Sequence, residues 1–201
     1  MKPIQRNEIL DLASYEAVRE HFRARVIQEK KRRRVQVGPK ASALFENRDT
    51  VLLQIQEMLR TERITRGAAI EHEIETYNDF IPASDELSCT LMIEIPDPAE
   101  RDAFLVAARG FEKHVWLTAG PHRVRAHGKE RGDEGADRTT AVHYLKFALP
   151  RSVADELRAV KPERAPGAGA EVGLEVTHPA YSVRAPLGRE AILELGADLN
   201  E

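Results

Sequence analysis

With 201 residues, 42% of them hydrophobic and 31% charged, the chain has enough apolar side chains to bury a core and too many to remain disordered. The formal net charge of −3 argues against a dedicated nucleic-acid binder, which shows a strongly basic domain, and leaves room only for a local basic patch. A single cysteine, Cys89, excludes an internal disulfide and a cysteine-rich metal site; with no apolar signal-peptide run and no stretch of roughly 18 apolar residues to span a bilayer, the expected location is the cytoplasm.

Asn7 can cap a short helix and Ser14 a longer one. Tyr15, Val18, Phe22 and Val26 recur at spacings of three and four and predict a helix over 14–36, stopped by Gly38 and Pro39. The stripe fades after Ile27. The first half is therefore expected to pack on the core, and the basic second half to face solvent or a partner. Ala41 to Phe45 reads as a short strand. Leu52, Ile55 and Leu59 then line a helix running from about Asp49 to Arg63, with Asn47 or Asp49 as its cap. A third helix, 66–80, carries Ile70, Ile74 and Tyr77, with Thr65 as cap and Pro82 as stop.

Leu87, Cys89, Leu91, Ile93 and Ile95 alternate with Ser88, Thr90, Met92 and Glu94, which is a strand with one apolar face. Cys89 lies on that face and reads as a buried, inert thiol. Asp97-Pro98-Ala99-Glu100 combines an N-cap, a first-turn proline and an acidic third position, so a helix starts there and runs to about Gly110. Two strands, 115–118 and 123–127, flank Gly120-Pro121. A polar loop over 128–138, a strand over 140–149, a helix over 150–160, a linker over 161–171, a strand over 172–177 and a terminal helix over 188–198 complete the chain. Helices first and closely connected strands after predict an α+β fold: a mainly antiparallel sheet of about five strands with the N-terminal helices on one face. The expected organisation is one domain over 1–181 and a tail over 182–201 with a short helix. No glycine-rich nucleotide loop is present.

Four groups of residues can carry chemistry. Glu46, Asn47, Arg48 and Asp49 gather at a helix N-terminus, with Gln54 and Glu57 on the helix that follows; free backbone N–H groups and Arg48 can hold an anion there. The competing reading is ordinary capping and local ion pairs. His143 and His178 fall where strand alternation places apolar side chains. They can bind a divalent metal or move protons if they meet, with Glu46 or Glu94 as a third ligand, or each can be a core histidine bonded to a carbonyl. Glu71, His72, Glu73 and Glu75 form an acidic helix face without the Glu-x-x-His order of di-iron bundles, so a solvated face is expected. Lys30, Lys31, Arg32, Arg33 and Arg34 form a basic run, suited to a helix C-terminus or to docking. The aromatic interleaving of a single-strand binder is missing from that run.

The segments LFENRDTVLLQIQEMLRTERI, TYNDFIP, LMIEIPDPAER, AVHYLKF and VTHPAY, in this order, resemble an uncharacterised bacterial family known only as domain of unknown function thirty-five-oh-one. The likeness runs from the first helix to about Tyr181, and FENRDTVLLQIQEM is its most specific part. Members are often encoded beside a rubrerythrin-like di-iron protein and an iron–sulfur protein similar to heterodisulfide reductase subunits. The resemblance therefore implies an accessory protein of a cytosolic redox or peroxide-response system, binding a rubrerythrin-like or iron–sulfur partner, with Arg32, Arg33 and Arg34 as the expected docking residues. The alternatives are an enzyme dependent on a metal or small molecule, using His143 and His178 with Arg48 and Glu57, and an RNA-associated stress protein. A homo-oligomer is a further candidate assembly.

Overall fold

The structure is a computed structural model that describes residues 1–128, 137–160 and 172–201. The expected linker over 161–171 and most of the expected loop over 128–138 lie outside these residues. Helix α1 spans Leu12–Arg33, and its cap is Asp11 rather than Ser14: the Asp11 carboxylate accepts from the amides of Ala13 and Ser14, both at 3.0 Å. The turn expected at Asn7 is a 3-10 turn over Arg6–Glu8.

The chain leaves α1 directly into strand β1, Arg34–Val37, and returns as β2, Ala41–Glu46. Gly38 and Pro39 thus close a hairpin instead of stopping a helix. The alternation of Val35 and Val37 with Arg34 and Gln36 outcompetes helical continuation, because both valines enter the core. Gly38 has φ 68°, and a Cβ there would lie 2.5 Å from the Tyr181 hydroxyl, so the turn requires glycine twice over.

Helices α2, Arg48–Thr61, and α3, Gly67–Asn78, follow; α3 starts from Arg66, not Thr65. Then come β3, Glu86–Ile93; α4, Pro98–Ala107; β4, Val115–Ala119; β5, His122–Arg125; β6, Val142–Ala148; α5, Arg151–Arg158; β7, Val172–His178; β8, Tyr181–Pro186; and α6, Arg189–Asp198. The fold is α+β, with two antiparallel four-stranded sheets in place of one sheet of about five strands. The orders are β1-β2-β3-β6 and β5-β4-β7-β8.

The sheets share one core. Phe45, Cys89, Leu91, Leu145 and Phe147 enter it from the first sheet, and Val115, Leu117, Leu174 and Val176 from the second. Both seams are tied. His127 and Lys146 exchange backbone hydrogen bonds of 2.9 and 2.7 Å next to β5 and β6. The Tyr181 hydroxyl donates to the Val37 carbonyl (2.5 Å) and accepts from the Lys40 amide (3.1 Å), which binds β8 to the β1–β2 turn. The stretch from 182 onward, expected as a tail, supplies most of β8 and all of α6. Ala185, Ala191, Ile192 and Leu195 are part of the main core.

Helices α1 to α3 cover the outer face of the first sheet. They hold a smaller core of their own, built by Ile4, Ile9, Val51, Ile55, Leu59, Ile70, Ile74, Tyr77 and Ile81. Helix α1 buries only Tyr15, Val26 and Arg33. Val18, placed on the buried stripe from sequence, is 44% exposed, and the basic end is better buried than expected. Among the described residues no helix is long and apolar enough to cross a membrane.

Candidate functional site

The Glu46–Asp49 segment lies where β2 passes into α2, and each of its side chains fastens a different element. Asn47 caps α2: its side chain accepts from the Thr50 amide (3.0 Å) and donates to Glu29 on α1. Arg48 reaches back to Glu8 and to the Lys2 carbonyl (3.1 Å). Asp49 pairs with Arg25 of α1. Glu46 is buried and accepts from the hydroxyls of Thr50 (2.5 Å) and Thr90 (2.6 Å), so a buried carboxylate is held by two neutral donors. The segment is a junction between sheet, α1 and the N-terminal turn. The anion site expected around Arg48 is closed by its own carboxylate partner, Glu8.

On α2, Gln54 is half-buried. Glu57 receives two hydrogen bonds from Arg19, both at 2.8 Å, and one from the Tyr15 hydroxyl at 2.6 Å. The Arg19 guanidinium holds its carboxyl below the usual range, and in return burial and Glu57 push the Tyr15 phenol up. Gln56, which sequence reading left aside, is buried. Its side chain accepts from the Leu10 amide at 2.8 Å and donates to the Leu10 carbonyl at 3.3 Å.

His143 and His178 both enter the shared core, from β6 and β7, and both lie against Phe111, with ring centroids 5.6 and 6.2 Å away. They are therefore brought to one neighbourhood, but not to a metal site. The Ala180 amide donates to Nδ1 of His178 at 3.1 Å, so the proton sits on Nε2, which donates to the Arg109 carbonyl at 3.0 Å. No lone pair of that ring remains for a metal. His143 Nε2 lies 3.4 Å from the Thr139 hydroxyl. The expected third ligands are elsewhere. In the β2–β3–β6 register His143 pairs with Leu91 on the inner face, whereas Glu46 pairs with Ser88 on the outer face. The sheet itself stands between them. Glu94 is engaged by Arg34 at 3.3 Å. Arg48 and Glu57 likewise belong to the helical side. Among the described residues no group of three or more histidine, cysteine, aspartate or glutamate side chains could hold a metal. The acidic face of α3 is solvated as expected: Glu71, His72 and Glu75 are exposed. Burial pushes the Cys89 thiol up, far from a reactive thiolate.

The basic run divides. Arg33 is 2% exposed and donates to Asp198 of α6 (2.8 Å) and to Glu194 (3.1 Å), with Glu29 3.2 Å from its Nε. Burial pushes the Asp198 carboxyl up even against this guanidinium. Arg32 pairs with Glu194 at 2.5 Å, and Arg34 donates to the Ser42 hydroxyl at 2.9 Å. Of the three arginines expected to dock a partner, Arg32 and Arg33 thus fasten α1 to α6, and Arg34 ties β1 to β2. Among the described residues Lys30 and Lys31 have no carboxylate within 4.0 Å of their ammonium groups. Together with Ile27, Arg34 and Gln36 they line an open groove of about 460 Å³. Sequence reading missed Glu194 and Asp198 because their partner Arg33 stands 161 and 165 positions away in the chain; Glu29, four positions before Arg33 on the same helix, was within reach of the i,i+4 rule.

No curated protein matches this chain. A crystal structure of a novel protein of unknown function from Burkholderia pseudomallei K96243 is 32% identical, with a TM-score of 0.88, covering 98% of this chain and 100% of that one. The model of the family described as "Protein of unknown function (DUF3501)" matches residues 3–199, past the Tyr181 limit of the sequence resemblance and through β8 and α6, and the chain belongs to that family.

Proposed function

We propose that the chain works by binding, as an accessory protein of a bacterial cytosolic redox or peroxide-response system that docks on a rubrerythrin-like or iron–sulfur partner. The family resemblance supports the partner class. The observation that carries the docking surface is the position of Lys30 and Lys31, two cations outside the α1–α6 ion-pair network on the rim of an open groove with an apolar floor at Ile27. Ammonium groups beside a half-buried isoleucine suit a carboxylate-bearing partner, steering its approach and fixing its register. The neighbouring arginines keep the groove rigid by holding α1 in place.

Pull-down of the two candidate partners with the full chain tests this. A complex is expected at low salt, weakening as salt rises. The double variant Lys30→Glu/Lys31→Glu should fold normally and lose the complex. Retention of the complex by that variant moves the docking surface elsewhere, and no complex at low salt with either partner removes the reading.

A further inference from the structure

The outer face of the second sheet is built differently from any site above. Strand register sets Arg125 of β5 opposite Trp116 of β4, Trp116 opposite Glu175 of β7, and Glu175 opposite Arg184 of β8, one row across all four strands. Adjacent strands lie about 4.8 Å apart, so the row is about 14 Å long. Arg123 enters the same face from two residues earlier on β5, its guanidinium carbon 4.0 Å from the indole centroid; that of Arg125 is 5.8 Å away. The indole N–H donates to the Thr177 hydroxyl at 3.2 Å, which fixes the ring across β4 and β7.

The three guanidiniums share one feature. Each is anchored through Nε: Arg123 to Glu175 (2.7 Å), Arg184 to Glu175 (2.9 Å) and Arg125 to the Lys113 carbonyl (3.0 Å). Among the described residues their terminal Nη groups have no hydrogen-bond partner. Three cations thus face one carboxylate, and the Glu175 side chain is only 13% exposed while that of Arg184 is 78% exposed. The face offers an excess of positive charge, planar donors held in place, and an aromatic ring on an open sheet.

We propose that this face binds single-stranded nucleic acid, with phosphates on the Nη groups of Arg123, Arg125 and Arg184 and a base stacked over the Arg123 guanidinium that covers Trp116. Oriented guanidinium ends match phosphate oxygens two at a time. A sheet bearing an aromatic ring among arginines gives unstacked bases a surface that water does not. An acidic peptide would satisfy the charges but leave the stacked guanidinium and indole unused. The binding is independent of the Lys30–Lys31 groove, so either can fail alone.

The chain contains one tryptophan, which makes Trp116 its own reporter. Titration of the full chain with short oligouridylate and oligothymidylate is expected to quench its fluorescence saturably. Three phosphate contacts give a slope of about −2 for log affinity against log salt, an affinity loss of about twenty-fold from ~50 to ~200 mM. Arg125→Glu/Arg184→Glu, which keeps the reporter, should lower affinity more than tenfold, with circular dichroism unchanged; Lys30→Glu/Lys31→Glu should bind as the parent does. Anisotropy of a labelled oligonucleotide provides the second readout. Absence of quenching and of anisotropy change at low salt, or binding that survives the arginine reversal, overturns the proposal. Polyglutamate binding as tightly as the oligonucleotide also overturns it and reassigns the face to acidic proteins.

Discussion

The two sheets share one interior but present opposite exteriors. Outside the first sheet, Ser42, Glu46 and Ser88 are buried beneath helices, and Glu46 is closed off by two threonine hydroxyls. Outside the second, the water-exposed guanidiniums of Arg123 and Arg184 hold a common carboxylate at the solvent boundary. The same chemical groups carry different weight in the two places. Under the helices a lost partner leaves a polar group with nothing to replace it. On the open sheet, water replaces it at little cost. The covered face therefore specifies how the helices dock, and the open face leaves donors for a ligand.

Substitutions can break or sharpen that contrast. The largest effect is expected at Arg33, where alanine leaves Asp198, Glu194 and Glu29 without their central cation; removing one partner of a buried pair costs about 3–5 kcal/mol. Burial already pushes the Asp198 carboxyl up, and the variant strengthens that bias. A carboxyl with a raised folded-state pKa binds its proton more tightly when folded, so the deficit of Arg33→Ala should shrink as pH falls. Urea unfolding at two pH values measures both, and a deficit under ~1 kcal/mol would mean that the network is solvated.

Glu46→Ala comes next, at roughly 1.5–3 kcal/mol, because the Thr50 and Thr90 hydroxyls lose a charged acceptor. Glu46→Gln keeps one acceptor oxygen and should lose less; equal losses would show that the charge, not the acceptor, matters. Gly196→Ala tests packing where α6 crosses α5. A Cβ there would lie 2.4 Å from the Leu157 carbonyl oxygen, and overpacking of this kind costs about 1–3 kcal/mol in thermal or chemical unfolding.

Glu57 gives a smaller, pH-dependent effect. Arg19 holds its carboxyl below the usual range, so its contribution is present above the unfolded value of about 4.3 and is lost as pH falls through the folded value. Glu57→Gln should flatten the acid limb of stability against pH, and an unchanged limb would detach Glu57 from it. The smallest effect is expected on the open sheet: Glu175→Gln should cost under about 1 kcal/mol, although two arginines hold it. A loss above ~2 kcal/mol would show that the exterior of the second sheet contributes to folding as strongly as that of the first.

Local rules carried much of the fold. Apolar alternation marked β3 and placed Cys89 inside it; Asp97 and Pro98 marked the start of α4; Asn47, one of two cap candidates, marked that of α2; and the terminal helix expected over 188–198 is α6. These signals act within one or two turns of chain, where spacing and capping decide. Tertiary contacts decided the rest. Arg34–Val37 reads as a continued helix until the partner strand and the Tyr181 tie are in place. Arg33 meets Asp198 across 165 positions, and His178 loses its ligand capacity to a loop carbonyl 69 positions away. Trp116, Arg125, Glu175 and Arg184 form a row only through strand order. Periodicity tells which way a side chain points along its own element. Which element stands beside it depends on long-range closure, and that leaves no mark on neighbouring residues.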